Sequence, residues 1–304
     1  MSPLSRRAFL LASAAPLAWA AKPRIPLCFG TYGMKSLLTD EALKTLSAIG
    51  YDGVELCLLP GWPCDPAALP PSARREIRSL LDSTGLVLPA VLEGLPLAGT
   101  PEKRTYNLER LKLAAALAHG LSPLCPPVLD TVLGGKAADW LLVRDRFADE
   151  LDAWARLAAT LDFTVCCKPH ADQALNSPQR ALWLLRQVNS PRLRLIYDYS
   201  HMLVEGYSLE SSLTALLPHI AFISVKDARG NSAHHEYLLP GDGATDYAAY
   251  FRLLDKLGYG GGVGVEVSSM IHQRPGYQPV ETARLCYRRL EQAMAQAGLR
   301  GIPR

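Results

Sequence analysis

The sequence predicts a single (β/α)8 barrel, on three observations. Eight short apolar runs recur between residue 24 and the end, each separated from the next by an amphipathic segment. The runs are continuous rather than alternating, the pattern of parallel strands covered by helices on their outer face. Eight such pairs in about 280 residues match the repeat number of a closed barrel.

In order, the runs are Ile25–Tyr32, Gly53–Leu58, Leu86–Glu93, Leu124–Thr131, Phe163–Lys168, Leu193–Asp198, Ile220–Asp227 and Gly262–Ser268. After the first, Ala42, Leu43, Leu46 and Ile49 repeat at helical spacing and Gly50 stops the helix. Before the last, Tyr247, Tyr250, Phe251, Leu254 and Leu257 repeat the arrangement, with Thr245 as the expected N-cap and Gly258 as the stop. An open doubly wound sheet is the alternative, but no Gly-x-Gly-x-x-Gly turn follows the first run.

With 304 residues, 49% of them hydrophobic, the chain can bury one large core, and at 20% charged it has no long polar tract. The formal charge is +3 and falls to +1 without Arg6 and Arg7, so no basic surface for nucleic acid is expected. Ser5-Arg6-Arg7-Ala8-Phe9-Leu10, an apolar stretch to Trp19 and Ala18-Trp19-Ala20 resemble a twin-arginine export signal over residues 1–20. That signal implies the twin-arginine export machinery as a partner and a periplasmic or extracellular location. The barrel is expected over residues 24–304, with no membrane span in the mature chain. The seven cysteines have no Cys-x-x-Cys spacing and read mostly as buried small residues; Cys57 with Cys64 is the candidate bridge.

Barrel enzymes carry their chemistry at the C-terminal ends of the strands. Charged or polar residues end nearly every run here: Glu55, Glu93, Asp130, Lys168, His170, Asp198, His201, Lys226, Asp227 and Glu266. A charge that ends an apolar strand needs a partner or a task, because burying it alone is costly.

Several segments together resemble the sugar phosphate isomerase/epimerase family, the xylose isomerase-like barrels. They are Gly50-Tyr51-Asp52-Gly53-Val54-Glu55-Leu56, Asp198-Tyr199-Ser200-His201, Val225-Lys226-Asp227 with Gly241-Asp242-Gly243, and Gly258-Tyr259-Gly260-Gly261 with Val265-Glu266-Val267. The resemblance spans nearly the whole mature chain. It implies a small-molecule carbohydrate substrate and one divalent metal held by Glu, Asp, His and Glu. Asp198 and Glu266 match two of those ligands, whereas Lys168 and Ser224 stand at the other two. An ammonium cannot ligate a metal, and a serine hydroxyl is a poor substitute for imidazole.

Three readings of the site stay open. In one, His170, Asp198, His201, His235 and Glu266 hold a relocated Mn, Zn or Co ion that polarises a carbonyl. In another there is no cofactor: Lys168 and Lys226 act as electrophiles toward an oxyanion and Glu266 is the proton-transfer base. In the third, the barrel binds a sugar without turnover. Sugar isomerisation or epimerisation beside a keto-sugar carbonyl is the expected reaction, and a lyase or dehydratase begins from the same proton abstraction.

Substrate contacts are expected from Glu55 as a hydroxyl acceptor, Trp62 as a stacking face, His170, and Arg229 as an anion clamp. Asp227 is expected to orient Lys226 or Arg229. His234 and His235 fall in the long loop after the seventh run, where binding residues gather.

Overall fold

The computed structural model describes residues 25–97 and 99–300. The export signal read in residues 1–20 lies outside them. In chain order the strands are β1 (Leu27–Gly30), β2 (Gly53–Cys57), β3 (Val87–Leu92), β4 (Val128–Thr131), β5 (Val165–Cys167), β6 (Leu193–Asp198) and β7 (Ile220–Val225). A short pair, β8 (Asp227–Gly230) and β9 (His235–Leu238), precedes β10 (Val263–Val265). The barrel closes in the order β1-β10-β7-β6-β5-β4-β3-β2, every neighbouring pair parallel, while β8 and β9 form a separate antiparallel hairpin. All eight expected runs supply a barrel strand.

The helices are α1 (Thr39–Ile49), α2 (Pro71–Thr84), α3 (Pro101–Leu121), α4 (Trp140–Thr160), α5 (Pro178–Val188), α6 (Tyr199–Val204), α7 (Leu209–Leu216), α8 (Tyr247–Lys256), α9 (Ser269–His272) and α10 (Pro279–Gln296). α1 ends as expected at Gly50, whose φ of 113° is left-handed. α8 starts one residue later than expected: Asp246, not Thr245, caps it, accepting from the Ala249 amide at 2.9 Å. No helix among the described residues is long and apolar enough to cross a membrane.

Alternation along the strands divides the barrel interior into two layers. Residues two apart on a strand share a face. Cys28, Ala90, Cys166, Ile196 and Phe222 pack together as a small cluster apart from the main core. Gly264 has no side chain because a Cβ there would lie 2.5 Å from the Phe222 ring. Continuing each strand by two or four residues from that apolar plug gives Lys168, Asp198, Ser224 and Lys226. The charged groups of the mouth therefore sit on the inward face directly above the plug. The outward faces pack against the helices in the main core, which includes Leu27, Phe29, Val165, Tyr197 and Val265.

All seven cysteines are free, so Cys57 and Cys64 form no bridge; six are buried and Cys125 is exposed.

Candidate active site

Two ammonium groups and four carboxylates meet in the barrel mouth. Lys168, just past the end of β5, is 2% exposed; its Nζ lies 2.8 Å from Asp130 Oδ2 and is ion-paired with Glu266. Lys226, just past β7, is 3% exposed. Its Nζ donates to Asp198, to Glu266 Oε1 at 2.9 Å and to His201 Nε2 at 3.2 Å. Three acceptors use all three protons of that ammonium. Glu266 thus bridges the two lysines, one carboxylate oxygen to each.

Local backbone geometry fixes the acidic partners. Asp198 ends β6 and caps α6: its Oδ1 accepts from the Ser200 amide at 3.0 Å and the Ser200 hydroxyl at 2.6 Å, leaving Oδ2 for Lys226. Asp130 is the penultimate residue of β4, the neighbour of β5, and faces Lys168. Glu55 lies deeper, 2% exposed, with its Oε1 lacking any hydrogen-bond partner among the described residues. Gly30 makes room for it, since a Cβ there would lie 3.0 Å from Glu55 Oε2.

The electrostatics follow from that packing. Burial raises the Glu55 carboxyl well above its ordinary range, and Asp130 raises it further, both favouring the neutral acid. Burial also raises Asp130, against the pull of Lys168. Burial would raise Glu266 too, but Lys168 and Lys226 overcome it and hold that carboxyl far below the carboxylate range. Both lysines stay protonated: burial opposes their charge, but Asp130 and Glu266 more than offset it at Lys168, as Asp198 and Glu266 do at Lys226.

Buried His201 and half-buried His170 are both held toward the neutral form. Burial pushes His170 down to about 4, and burial together with His170 and Lys226 pushes His201 well below its ordinary value. Their rings lie 3.8 Å apart between centroids. His201 accepts from Lys226 at Nε2, so its Nδ1 carries the proton and donates to the Tyr237 hydroxyl at 2.7 Å. His170 Nδ1 donates to the Ala171 carbonyl at 2.8 Å, which leaves Nε2 as its lone pair.

A cavity of about 290 Å³ opens above this network, walled by Tyr32, His170, Lys226, His235, Tyr237 and Glu266. It lies near the lower end of small-molecule sites, about 300–1,000 Å³. Lys226 and Glu266 are the charged groups of the network that reach it.

The structure brings Lys168, Lys226, Glu266, Asp198, His170 and His201 together. Glu55 joins from below but does not line the cavity, so its expected hydroxyl contact with substrate is not available there. Trp62 lies beside the mouth, stacked on Tyr32 with centroids 5.6 Å apart. Arg229 is not in the mouth: the hairpin carries it outward, where it is 70% exposed and paired with Glu236. Asp227 orients neither Lys226 nor Arg229; its Oδ2 accepts from the Gly241 and Gly243 amides at 2.7 and 3.0 Å and pins that loop.

Sequence reasoning missed Tyr237 and Tyr32, and it gave Asp130 no partner. The hairpin brings Tyr237 over the mouth through a buried cluster with Ala171, Val204 and Ala228. No run in the sequence signals that placement. Asp130 was legible as a charge at a strand end, and the adjacency of consecutive strands points to Lys168 as its partner.

The donor set does not fit a divalent metal. The two carboxylates that match the family's ligands, Asp198 and Glu266, are each ion-paired with a lysine, and the Ser224 hydroxyl is buried without a partner. A cation between those carboxylates would meet two like charges. The five side chains expected to hold a relocated ion gather at the mouth, but their donor atoms are engaged elsewhere. His201 faces Lys226 and Tyr237, His170 faces the Ala171 carbonyl, and His235 Nε2 lies 3.6 Å from Asp172. Among the described residues no three His, Cys, Asp or Glu side chains are grouped to hold a metal.

A closed eight-stranded parallel barrel with a polar mouth at its strand C-termini defines the (β/α)8 barrel class. The family of xylose isomerase-like TIM barrels matches residues 43–290, and the chain belongs to it. Fructoselysine 3-epimerase of Escherichia coli O157:H7 is 22% identical over 81% of this chain and 91% of its own length. Inosose dehydratase of Yersinia enterocolitica is 27% identical, but the match spans 40% of this chain and 46% of that protein. The crystal structure of 3-keto-D-glucoside 4-epimerase from E. coli superimposes with a TM-score of 0.70 at 17% identity, over 88% of this chain and all of the other; that likeness establishes the fold.

Proposed function

We propose that the protein moves a proton next to the carbonyl of a keto sugar or sugar derivative, as an isomerase or epimerase, with lysine ammonium groups as the electrophile. One observation carries this reading: Lys226 and Glu266, 2.9 Å apart, both face the cavity. A developing enolate oxygen needs a preorganised positive donor, and a positioned base must take the α-proton. Lys226 supplies the first. Its three protons are already engaged, so a substrate oxygen must displace one acceptor. Displacing Glu266 Oε1 has two effects at once. It directs an ammonium proton at the carbonyl, and it removes one of the two cations that suppress the basicity of Glu266. Glu266 then takes the α-proton, and the C–H pair of electrons moves into the carbon–carbon bond of the enolate. Delivery of a proton from solvent to the opposite face gives the epimer, with Glu266 releasing its own proton to solvent; return of the Glu266 proton to the neighbouring carbon gives the isomer. Loss of a β-hydroxyl from the same enolate is the dehydratase outcome. Lys168 stays bound to Glu266 and holds it in place. The export signal read in residues 1–20 supports a non-phosphorylated substrate outside the cytoplasm.

A sugar-binding barrel without turnover is the second reading. It is favoured by the double pairing of Glu266, which keeps that carboxylate a weak base until one partner moves. Incubation with keto sugars in D₂O, followed by NMR of the α-carbon position, separates the two. Deuterium wash-in that disappears in Glu266→Gln supports the enzyme. Binding without wash-in would establish the second reading.

A further inference from the structure

A second cavity, about 520 Å³, adjoins the mouth; Lys35, Trp62, His272, Arg274 and Tyr277 are among its walls. These residues follow β1, β2 and β10, which are neighbours in the barrel, so the cavity stands at the same C-terminal end. Tyr32 is the partition. It lines the reaction cavity on one side and stacks on Trp62 on the other, with the ring planes 17° apart. The Trp62 indole N–H donates to the Tyr32 carbonyl at 3.4 Å, and the His272 ring meets Tyr32 edge-on at 4.7 Å. The three rings thus form one wall running from the mouth into the second cavity.

This wall is cationic. Lys35 Nζ sits 4.0 Å from the Trp62 ring centroid, and no carboxylate of the described residues lies within ion-pair distance of it. Arg274 pairs with Glu236, but Glu236 also takes Arg229, so one carboxylate serves two guanidinium groups. Buried His272 Nε2 has no hydrogen-bond partner among the described residues. An aromatic face suits the apolar side of a sugar ring, and an unpaired ammonium with a guanidinium suits an oxyanion.

We infer that this cavity is a distal subsite for a second, anion-bearing carbohydrate unit, so that the substrate is an acidic glycoside or sugar conjugate rather than a lone neutral monosaccharide. The inference rests on the reading of the mouth as a carbohydrate site. Its test measures binding alone, so its failure is separable from failure of the chemistry.

The probes are D-glucuronate, D-glucose 6-phosphate and D-glucose, titrated by calorimetry at low ionic strength into wild type, Lys35→Ala, Lys35→Arg and Trp62→Ala. Lys35 and Trp62 lie at the rim, so the variants keep the barrel network intact. The inference expects both anions, or one of them, to bind at least tenfold more tightly than glucose. It expects that advantage to be lost in Lys35→Ala and kept in Lys35→Arg, with Trp62→Ala weakening all probes that bind. Preference for glucuronate over the phosphate identifies a carboxylate ligand; the reverse identifies a phosphate and overturns the non-phosphorylated substrate proposed above. Equal binding of glucose and the anions, or an anion affinity within twofold of wild type in Lys35→Ala, overturns it. The latter result would locate the anion on Lys226.

Discussion

Replacing Lys168 by methionine isolates the ammonium from its stem. The side chain keeps a similar length and apolar volume, and the charge disappears from a site that is 2% exposed. Lys168 neutralises Asp130, fully buried, and one oxygen of Glu266, 13% exposed. Removing one partner of a buried ion pair leaves an uncompensated charge and costs about 3–5 kcal/mol. For a domain of this size that corresponds to a fall in Tm of roughly 6–20 °C. The pH dependence gives the mechanism away. In wild type the folded-state pKa of Glu266 is depressed, so its contribution is present above the unfolded value of about 4.3 and is lost as pH falls through the folded value. In the variant that depression shrinks, and Asp130 loses the cation that opposed its burial. Both carboxyls then take up protons at higher pH, which removes the uncompensated charge. The destabilisation is therefore largest near pH 8 and smaller near pH 5. Urea denaturation at the two pH values measures it. A loss under 1 kcal/mol at pH 8, or a larger loss at pH 5 than at pH 8, would refute the reasoning.

The remaining predictions are independent of that network or only touch its edge. His170 stays neutral down to about pH 4, so its ring NMR signals should not titrate between pH 5 and 8; its depressed pKa also means that stability declines as pH falls below the unfolded value of about 6.5, where the unfolded chain takes up a proton the native ring refuses. A midpoint near 6.5 would contradict the burial argument. Of the seven thiols only Cys125 is exposed, and burial raises the pKa of the other six, so a thiol reagent should label one cysteine rapidly in the native protein and seven after denaturation. Arg110 clamps Glu93 and Asp65 in the interior and donates to the Leu58 carbonyl; Arg110→Met should cost about 3–5 kcal/mol in the same urea assay, and a neutral change would mean the clamp is not needed.

The barrel was legible because each strand is a continuous buried run and because the helices after the first run and before the last show a clear period and a glycine stop. The two lysines were legible for the opposite reason: a charge ending such a run breaks the pattern. The hairpin was not. Its strands are four residues each, Asp227-Ala228-Arg229-Gly230 and His235-Glu236-Tyr237-Leu238, with too few apolar positions to establish an alternation. Arg229 was misplaced with it, since the sequence could not show that the chain turns away from the mouth two residues after Lys226. The candidate metal ligands were legible only as a gathering of side chains. His170, His201 and His235 do gather near the mouth, but the ring-nitrogen directions of His170 and His201 depend on hydrogen bonds to Ala171, Tyr237 and Lys226 that no spacing reveals.

The central claim is that Lys226, between Asp198 and Glu266, takes the place of a divalent cation, with Lys168 on the other oxygen of Glu266. Elemental analysis of untagged protein after dialysis against Mn, Zn and Co in turn tests it most directly, with Lys168→Glu/Ser224→His alongside. The account predicts no tightly held metal in wild type and about one per chain in the double variant. One tightly held ion per wild-type chain, displacing the lysines from Glu266, would contradict it.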